Sequence, residues 1–272
     1  MMTDRCSVVI RADHTDQRIL GQLLDRLNRQ SDVKLENAVL VDSSPEGYPL
    51  EVATFDWLLV ERLRREAFSY GRALNRGCQA ARGDLLVILN GHTIPIGTSW
   101  LRDLTRPLED PSIAGVCGLQ NSVWPNSREL EPTVLTATNF GPPAWRGLGT
   151  TNLALRRELW EKFPFDEEVE FAEDKEWGRR VVLAGYQILL GVEASIHHMH
   201  PERRLGQSLR REFESARTEA RFALTGGVAL SSALRRFLGE LARAPWKGLT
   251  SFASHTLRAG SRLLGNRAGR KS

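Results

Sequence analysis

The chain has 272 residues, of which 41% are hydrophobic and 26% are charged, an ordinary globular composition with room for one large α/β domain plus an appendage, or for two small domains. The net charge is +4, but residues 231–272 contain nine Lys or Arg residues and one acidic residue and so carry +8. The rest of the chain therefore carries −4, which argues against a nucleic-acid-binding core. The three scattered cysteines lie in apolar stretches, which argues against a disulfide or zinc framework.

Strand and helix patterns alternate along the first third of the chain. Short β-branched runs at 6–10, 38–41 and 57–60 predict three strands. Apolar residues at helical spacing over 19–27 predict a helix between the first two strands, with Thr15 or Asp16 as its N-cap. This order indicates right-handed crossovers and a doubly wound sheet.

The stretch from 68 to 95 organises the rest of the chain. Its first half has helical spacing, Gly83 and Asp84 break the helix, and 85–89 is apolar at every position. Such a run predicts a strand buried on both faces, as in the middle of a parallel sheet. The chain then turns polar at Asn90-Gly91-His92, and ligands of open α/β sheets bind at this edge.

Further helices and strands are predicted after residue 95. The segment 120–149 is rich in loops and contains four prolines. Two acids, Glu173 and Asp174, begin a further helix that continues to residue 184. The predicted elements are helices at 100–108 and 157–163 and strands at 113–118, 150–155 and 187–190.

The pattern N-x-G-x-x-x-A-x-G-D over 75–84, followed by a buried strand, a polar triplet and a proline, resembles the core of a family-2 glycosyltransferase with the GT-A fold. The resemblance covers residues 6–203. It implies a nucleotide-diphospho-sugar transferase domain with a Rossmann-like central sheet over 1–203 and a helical extension over 204–272. In that family the triplet is usually Asp-x-Asp and holds a divalent metal on the donor diphosphate; this chain resembles a branch that has Asn-Gly-His.

The resemblance places the metal at His92 and at one late histidine. An imidazole nitrogen suits Mn²⁺ better than Mg²⁺. His198 and His200 occupy alternate positions of an extended segment, so both side chains point to the same side, and the choice between them stays open. Asn90 and Gly91 would border the ribose or the phosphates.

The resemblance also assigns the acid pair. In the family the aspartate of a Glu-Asp pair is the general base, which implies that Asp174 deprotonates the acceptor hydroxyl in an inverting transfer, with Glu173 beside it. A helix N-terminus favours an ionised carboxylate. An acidic first helical turn is also a common structural feature, and only its position after the triplet favours the catalytic interpretation.

Residues at the ends of the first two strands would contact the nucleoside. Asp42 resembles the family's nucleotide-recognising aspartate, although an aspartate in this position can also cap its own loop. Ala12 and Asp13 would border the same base. Asn75, on the central helix, is a further candidate, and helix packing alone would also account for it.

The extension over 204–272 carries basic residues beside an apolar stripe, a pattern that is typical of a helix in a membrane interface. We expect it to hold the enzyme at an anionic cytoplasmic leaflet, where lipid-linked or glycan acceptors of surface polysaccharide synthesis are found. Packing on the domain or an oligomer contact is the alternative. The first residues offer no signal peptide, and no apolar run approaches the roughly 18 residues of a membrane span, so we expect a cytoplasmic protein.

Two other classes remain open. A catalytically silent relative that binds sugar nucleotides or glycans would explain the missing Asp-x-Asp, but not the acid pair. A sugar-1-phosphate nucleotidyltransferase would require a glycine-rich loop after the first strand, and residues 11–18 contain no glycine.

Overall fold

The computed structural model describes residues 5–46, 48, 50, 55–122, 132–141, 144–169 and 171–199. The chain divides into two compact units, one comprising Met1–Glu168 with Glu173–His200 and the other Val169–Ala172 with Pro201–Ser272. The predicted extension over 204–272 and its amphipathic helices lie outside the described residues, so they stay predictions.

Within the described residues, nine strands form one mixed sheet in the order β3-β2-β1-β4-β8-β6-β9-β5, with β7 paired to β9. The strands are β1 Cys6–Ala12, β2 Leu35–Asp42, β3 Leu58–Arg62, β4 Leu85–Asn90, β5 Thr93–Pro95, β6 Ile113–Ser122, β7 Thr133–Leu135, β8 Asn152–Arg156 and β9 Gln187–His198.

Five α-helices are described: α1 Gln17–Asn28, α2 Tyr70–Ala80, α3 Trp100–Thr105, α4 Arg157–Lys162 and α5 Glu173–Leu183. Asp16 caps α1 by accepting a hydrogen bond from the Arg18 backbone, as predicted, and Ser69 caps α2 in the same way. None of the described helices has both the length and the apolar character needed to cross a membrane.

The predicted α/β fold with a central sheet is confirmed. Strands β3, β2, β1 and β4 pair in parallel, and α2 connects β3 to β4. Buried leucines of α1 pack with apolar residues of β1, β2 and β4 into one hydrophobic core. This half of the sheet is the part that the alternating pattern predicted.

One prediction about β4 is wrong. The strand is buried along its whole length, but it does not lie inside a parallel sheet, because β8 pairs with it antiparallel on the side opposite β1. A continuous apolar run reports that both faces of a strand are covered, and it contains no information about the direction of the neighbouring strand.

Several elements differ in length from their predictions, and the strand predicted over 113–118 extends as β6 to Ser122. The helix predicted over 100–108 ends at Thr105, and Pro107 lies in the 3₁₀ turn Arg106–Glu109, since proline lacks the donor that an α-helix needs. The strand predicted over 187–190 extends as β9 to His198 and passes Gly191, which has a φ of 78°. The added length carries His197 and His198 to the sheet edge where β4 ends.

Candidate active site

The candidate site lies where the parallel and mixed parts of the sheet meet. β1 and β4 end here side by side, with Arg11 as the register partner of Asn90. Because β8 runs antiparallel to β4, the beginning of β8 lies beside the end of β4, and Leu89 pairs with Asn152. The site therefore receives residues from the ends of some strands and from the beginning of another.

Asn90 is buried and both ends of its amide are engaged. Its Oδ1 accepts a hydrogen bond of 2.7 Å from Arg11 Nη2, and its Nδ2 donates one of 3.1 Å to Thr151 Oγ1. Gly91 packs tightly, since a Cβ there would lie 2.9 Å from Thr15 Oγ1 and 3.3 Å from Ala12 Cβ. A larger side chain at position 91 would therefore collide with Thr15 and crowd Ala12 at this edge of the sheet.

His92 and His198 face each other across the end of the sheet. Their Nε2 atoms are 3.0 Å apart and their rings are stacked, with centroids 4.9 Å apart. The antiparallel pairing of β5 with β9 produces this contact, because Thr93 is the register partner of His198. Gln120 Oε1 lies 3.2 Å from His198 Nδ1. His200, the other candidate, lies outside the described residues.

The two imidazoles fit a divalent cation in the kind of donor atom and in spacing. Metal–nitrogen bonds of about 2.1 Å at right angles place two nitrogens about 3.0 Å apart, whereas tetrahedral angles place them about 3.4 Å apart. The observed 3.0 Å matches the octahedral arrangement, and it is also a normal N–H···N distance. Among the residues that the structure describes, no group of three or more His, Cys, Asp or Glu side chains could hold a metal.

The acid pair lies at the first turn of α5, and both carboxylates are buried. Glu173 Oε1 accepts a hydrogen bond of 2.7 Å from Thr150 Oγ1, and Arg11 Nη1 lies 3.7 Å from the same oxygen. Burial raises the pKa of Glu173, the neighbouring Asp174 raises it further, and Arg11 opposes both effects. Glu173 therefore holds its proton at higher pH than an exposed glutamate does.

Asp174 is paired with the residue that follows it. Its Oδ1 accepts from the Lys175 backbone nitrogen at 2.7 Å, and its Oδ2 accepts from Lys175 Nζ at 2.8 Å. A Cβ on Gly149 would lie 3.6 Å from Asp174 Oδ2 and 3.9 Å from Gln120 Nε2. Asp174 and the glutamine that contacts the His92–His198 pair therefore lie on either side of a space that would hold one methyl group at Gly149.

The residues predicted to contact the nucleoside lie at the ends of β1 and β2. Asp42 is buried and both carboxylate oxygens are occupied: Ser44 donates twice to Oδ1, and Arg62 pairs with Oδ2. Asp13 is half exposed and contacts His14 and Arg65. Of these two acids, Asp13 is the one whose carboxylate reaches solvent.

Asn75 is held by four hydrogen bonds within the protein. Its Nδ2 donates to the Phe165 carbonyl and to Glu167 Oε1, and its Oδ1 accepts from Trp160 Nε1 and from the Phe165 backbone. These bonds attach α2 to α4, through Trp160, and to the segment that follows α4. We therefore treat Asn75 as a residue that joins these elements.

Sequence reasoning missed Arg11, Gln120, Thr150 and Lys175. Arg11 lies within a strand, and nothing in its neighbourhood along the chain distinguishes it from a solvent-facing arginine. Gln120 lies in a segment predicted to be a loop. Lys175 directly follows the acid pair, and that adjacency was the available signal.

The sheet order and this edge define a GT-A glycosyltransferase-type domain. The chain belongs to glycosyl transferase family 2, whose sequence profile matches residues 7–161. The chain is 25% identical over 180 residues to the O-antigen chain rhamnosyltransferase WbaN of Salmonella anatum, with 60% of this chain and 56% of WbaN covered. It is 22% identical over 197 residues to the O-antigen chain rhamnosyltransferase RfbN of Salmonella typhimurium, with 65% and 61% covered.

A solved structure shares the fold. The mannosyltransferase PcManGT of Pyrobaculum calidifontis, in complex with GDP-Man and Mn²⁺, superimposes with a TM-score of 0.59 at 18% identity, covering 98% of this chain and 73% of that one. The chain spans less than two thirds of the length of WbaN and of RfbN. These likenesses establish family and fold.

Proposed function

We propose that the chain transfers a sugar from a nucleoside diphosphate donor to an acceptor hydroxyl during the synthesis of a surface polysaccharide. Membership of glycosyl transferase family 2 and the two O-antigen rhamnosyltransferase relatives support this reaction class. The single observation that carries the proposal is that Gln120 contacts His198 and that Gln120 and Asp174 both approach within 4 Å of the position a Cβ of Gly149 would take. This arrangement supports a carboxylate base close to the His92–His198 pair.

In the proposed mechanism Asp174 is the general base. The acceptor oxygen attacks the anomeric carbon while its proton passes to an oxygen of Asp174, and the bond from that carbon to the diphosphate breaks with its electron pair on the diphosphate. A single displacement of this kind inverts the anomeric configuration. Asp174 becomes available as a base when the acceptor displaces Lys175 Nζ from Oδ2.

His92 and His198 would hold a divalent cation, and Mn²⁺ suits these two nitrogens better than Mg²⁺ does. Once bound, the cation would stabilise the negative charge that develops on the leaving diphosphate. His200 remains the alternative to His198 as the late histidine that would hold the cation. Asp13 would contact the nucleoside beside Ala12, and Asp42 would support the same loop through Ser44.

For the extension over 204–272 we propose contact with an anionic membrane surface, on the basis of its charge alone. Removal of residues 231–272 is expected to abolish co-sedimentation with vesicles that contain phosphatidylserine. Sedimentation of the shortened chain to the same extent would contradict this part of the proposal and favour packing or oligomerisation.

Calorimetry of UDP, dTDP and GDP, each with and without Mn²⁺, tests the main proposal. We expect one nucleotide to bind only in the presence of Mn²⁺, and His92→Ala to abolish that binding. His197→Ala is the matched control, because His197 lies on the same strand as His198 with its side chain exposed. Binding that ignores both Mn²⁺ and His92→Ala would remove the metal site, and binding of none of the three would favour a silent glycan-binding relative.

A further inference from the structure

Arg11 is a buried cation at the centre of the candidate site. Its side chain is 13% exposed, and its guanidinium lies 4.2 Å from the centre of the Tyr70 ring. One nitrogen donates to Asn90 Oδ1, and the other lies 3.7 Å from Glu173 Oε1. A single side chain of β1 thus contacts the end of β4 and the starts of α2 and α5.

These contacts close into a ring. Asn90 is hydrogen-bonded to both Arg11 and Thr151, and Glu173 pairs with Arg11 and accepts a hydrogen bond from Thr150. Thr150 and Thr151 are neighbours in the chain, directly before β8. Arg11 therefore joins the Asn-Gly-His segment to the acid pair along a path that returns through the start of β8.

When Glu173 and Asp174 are both ionised, the charges of this cluster balance. Arg11 and Lys175 face Glu173 and Asp174, and Asn90 contributes a neutral amide. An aspartate at position 90 would add a third carboxylate, and it would compete with Glu173 for the same guanidinium. A buried carboxylate without a full counter-charge is costly.

We infer that Arg11 is a positioning residue for the proposed transfer, because it holds Glu173 and the start of α5 against the end of β4. The neutral Asn90 accepts a hydrogen bond from Arg11 without adding a carboxylate, so Glu173 is the carboxylate that pairs with the Arg11 guanidinium at this place. The inference depends on the proposed function only for the role of the acid pair. It accounts for the first position of the triplet by a partner inside this chain.

Carboxyl NMR of protein labelled with ¹³C-glutamate tests the inference without a substrate. The signal that disappears in Glu173→Gln identifies Glu173. The charged groups that face Glu173 are Arg11 from β1 and Asp174 from its own helix. Because a cation at this range lowers a carboxyl pKa by about one unit or more, Arg11→Gln is expected to raise the midpoint of Glu173 by at least that amount.

Two further variants separate charge from packing. Arg11→Lys keeps one positive charge, and its Glu173 midpoint is expected between those of the wild type and Arg11→Gln. Arg76→Gln is the matched control, since Arg76 on α2 forms a more exposed ion pair with Glu61 on β3. This variant should leave the titration midpoint of Glu173 unchanged.

Asn90→Asp keeps Arg11 and so decides the question even if Arg11→Gln does not fold. It is expected to raise the titration midpoint of Glu173, because the new carboxylate would pair with the same Arg11 guanidinium and would repel the ionised Glu173. An unchanged Glu173 midpoint in Asn90→Asp, or in folded Arg11→Gln, overturns the inference. Failure of the proposed function would show instead as loss of nucleotide binding in calorimetry, which this titration does not measure.

Discussion

The parallel half of the sheet and the mixed half differ in what they do with polar residues. The parallel half comprises β3, β2, β1 and the near side of β4. There the acid at the end of β2, Asp42, has both carboxylate oxygens paired with protein groups, Ser44 and Arg62. In the mixed half, comprising β8, β6, β9 and β5, strand ends contribute Gln120 and His198, and Thr150 lies just before β8. The candidate site residues assemble where the two halves meet, because there strand starts and strand ends lie side by side.

The largest expected effect tests the proposed catalytic role of Asp174, which lies at the start of α5. Asp174→Asn should lower sugar transfer by about 10²- to 10⁴-fold, because an amide cannot accept the acceptor proton. The assay is release of nucleoside diphosphate from the donor that calorimetry selects. Glu176→Gln, which breaks an ion pair with Arg180 on the same helix, is the control for lost charge. Normal turnover in Asp174→Asn would place the base elsewhere.

Gly149→Ala tests the space between Asp174 and Gln120. A methyl there meets atoms at 3.6 and 3.9 Å, which is ordinary contact, so the fold should be kept. Turnover should fall by about ten- to hundredfold because the reacting group is displaced. Calorimetry should show unchanged affinity for nucleotide and Mn²⁺. An equal loss of affinity and turnover would mean that Gly149 serves the donor instead.

Gly77→Ala tests packing in the parallel half. A Cβ at Gly77 would lie 2.3 Å from Val9 Cγ1, so α2 and β1 must separate, at a cost of about 1–3 kcal/mol in the free energy of unfolding. Urea unfolding measures it. Gly21→Ala in α1 is the matched control, since it meets no atom within 4 Å and should stabilise by about 0.5–1 kcal/mol. Equal changes in the free energy of unfolding for Gly77→Ala and Gly21→Ala would contradict the close approach of α2 to β1.

The pH dependence of stability gives the smallest expected effect. Because the pKa of Glu173 is raised above its ordinary 4.5, the folded state binds more protons than the unfolded state, and stability falls as pH rises from 4.5 to the raised pKa. Each pH unit in that interval lowers the free energy of unfolding by up to about 1.4 kcal/mol. Urea unfolding from pH 4.5 upward should show this decline relative to Glu173→Gln. Parallel curves for the two proteins would show that the folded state does not raise this pKa.

Several features could be predicted from local pattern. The β-branched runs, the helical spacing after Asp16, the buried run 85–89 and the turn to Asn90-Gly91-His92 each depend on neighbours in sequence, and all appear in the structure. The predicted roles of His92, His198 and Asp174 stay predictions, although these side chains do lie at one edge. The division at residue 203 and the role of His200 likewise remain to be tested.

The parallel half, the family pattern and the basic segment can be recognised from the amino-acid sequence, since periodicity and composition act over a few residues. The antiparallel direction of β8 beside β4, the continuation of β9 to His198 and the reach of Arg11 to both Asn90 and Glu173 became known only from the folded chain. These features depend on pairings between residues some 60 to more than 160 positions apart in the printed chain. Such pairings are selected by the packing of the whole sheet, and a local pattern does not contain them.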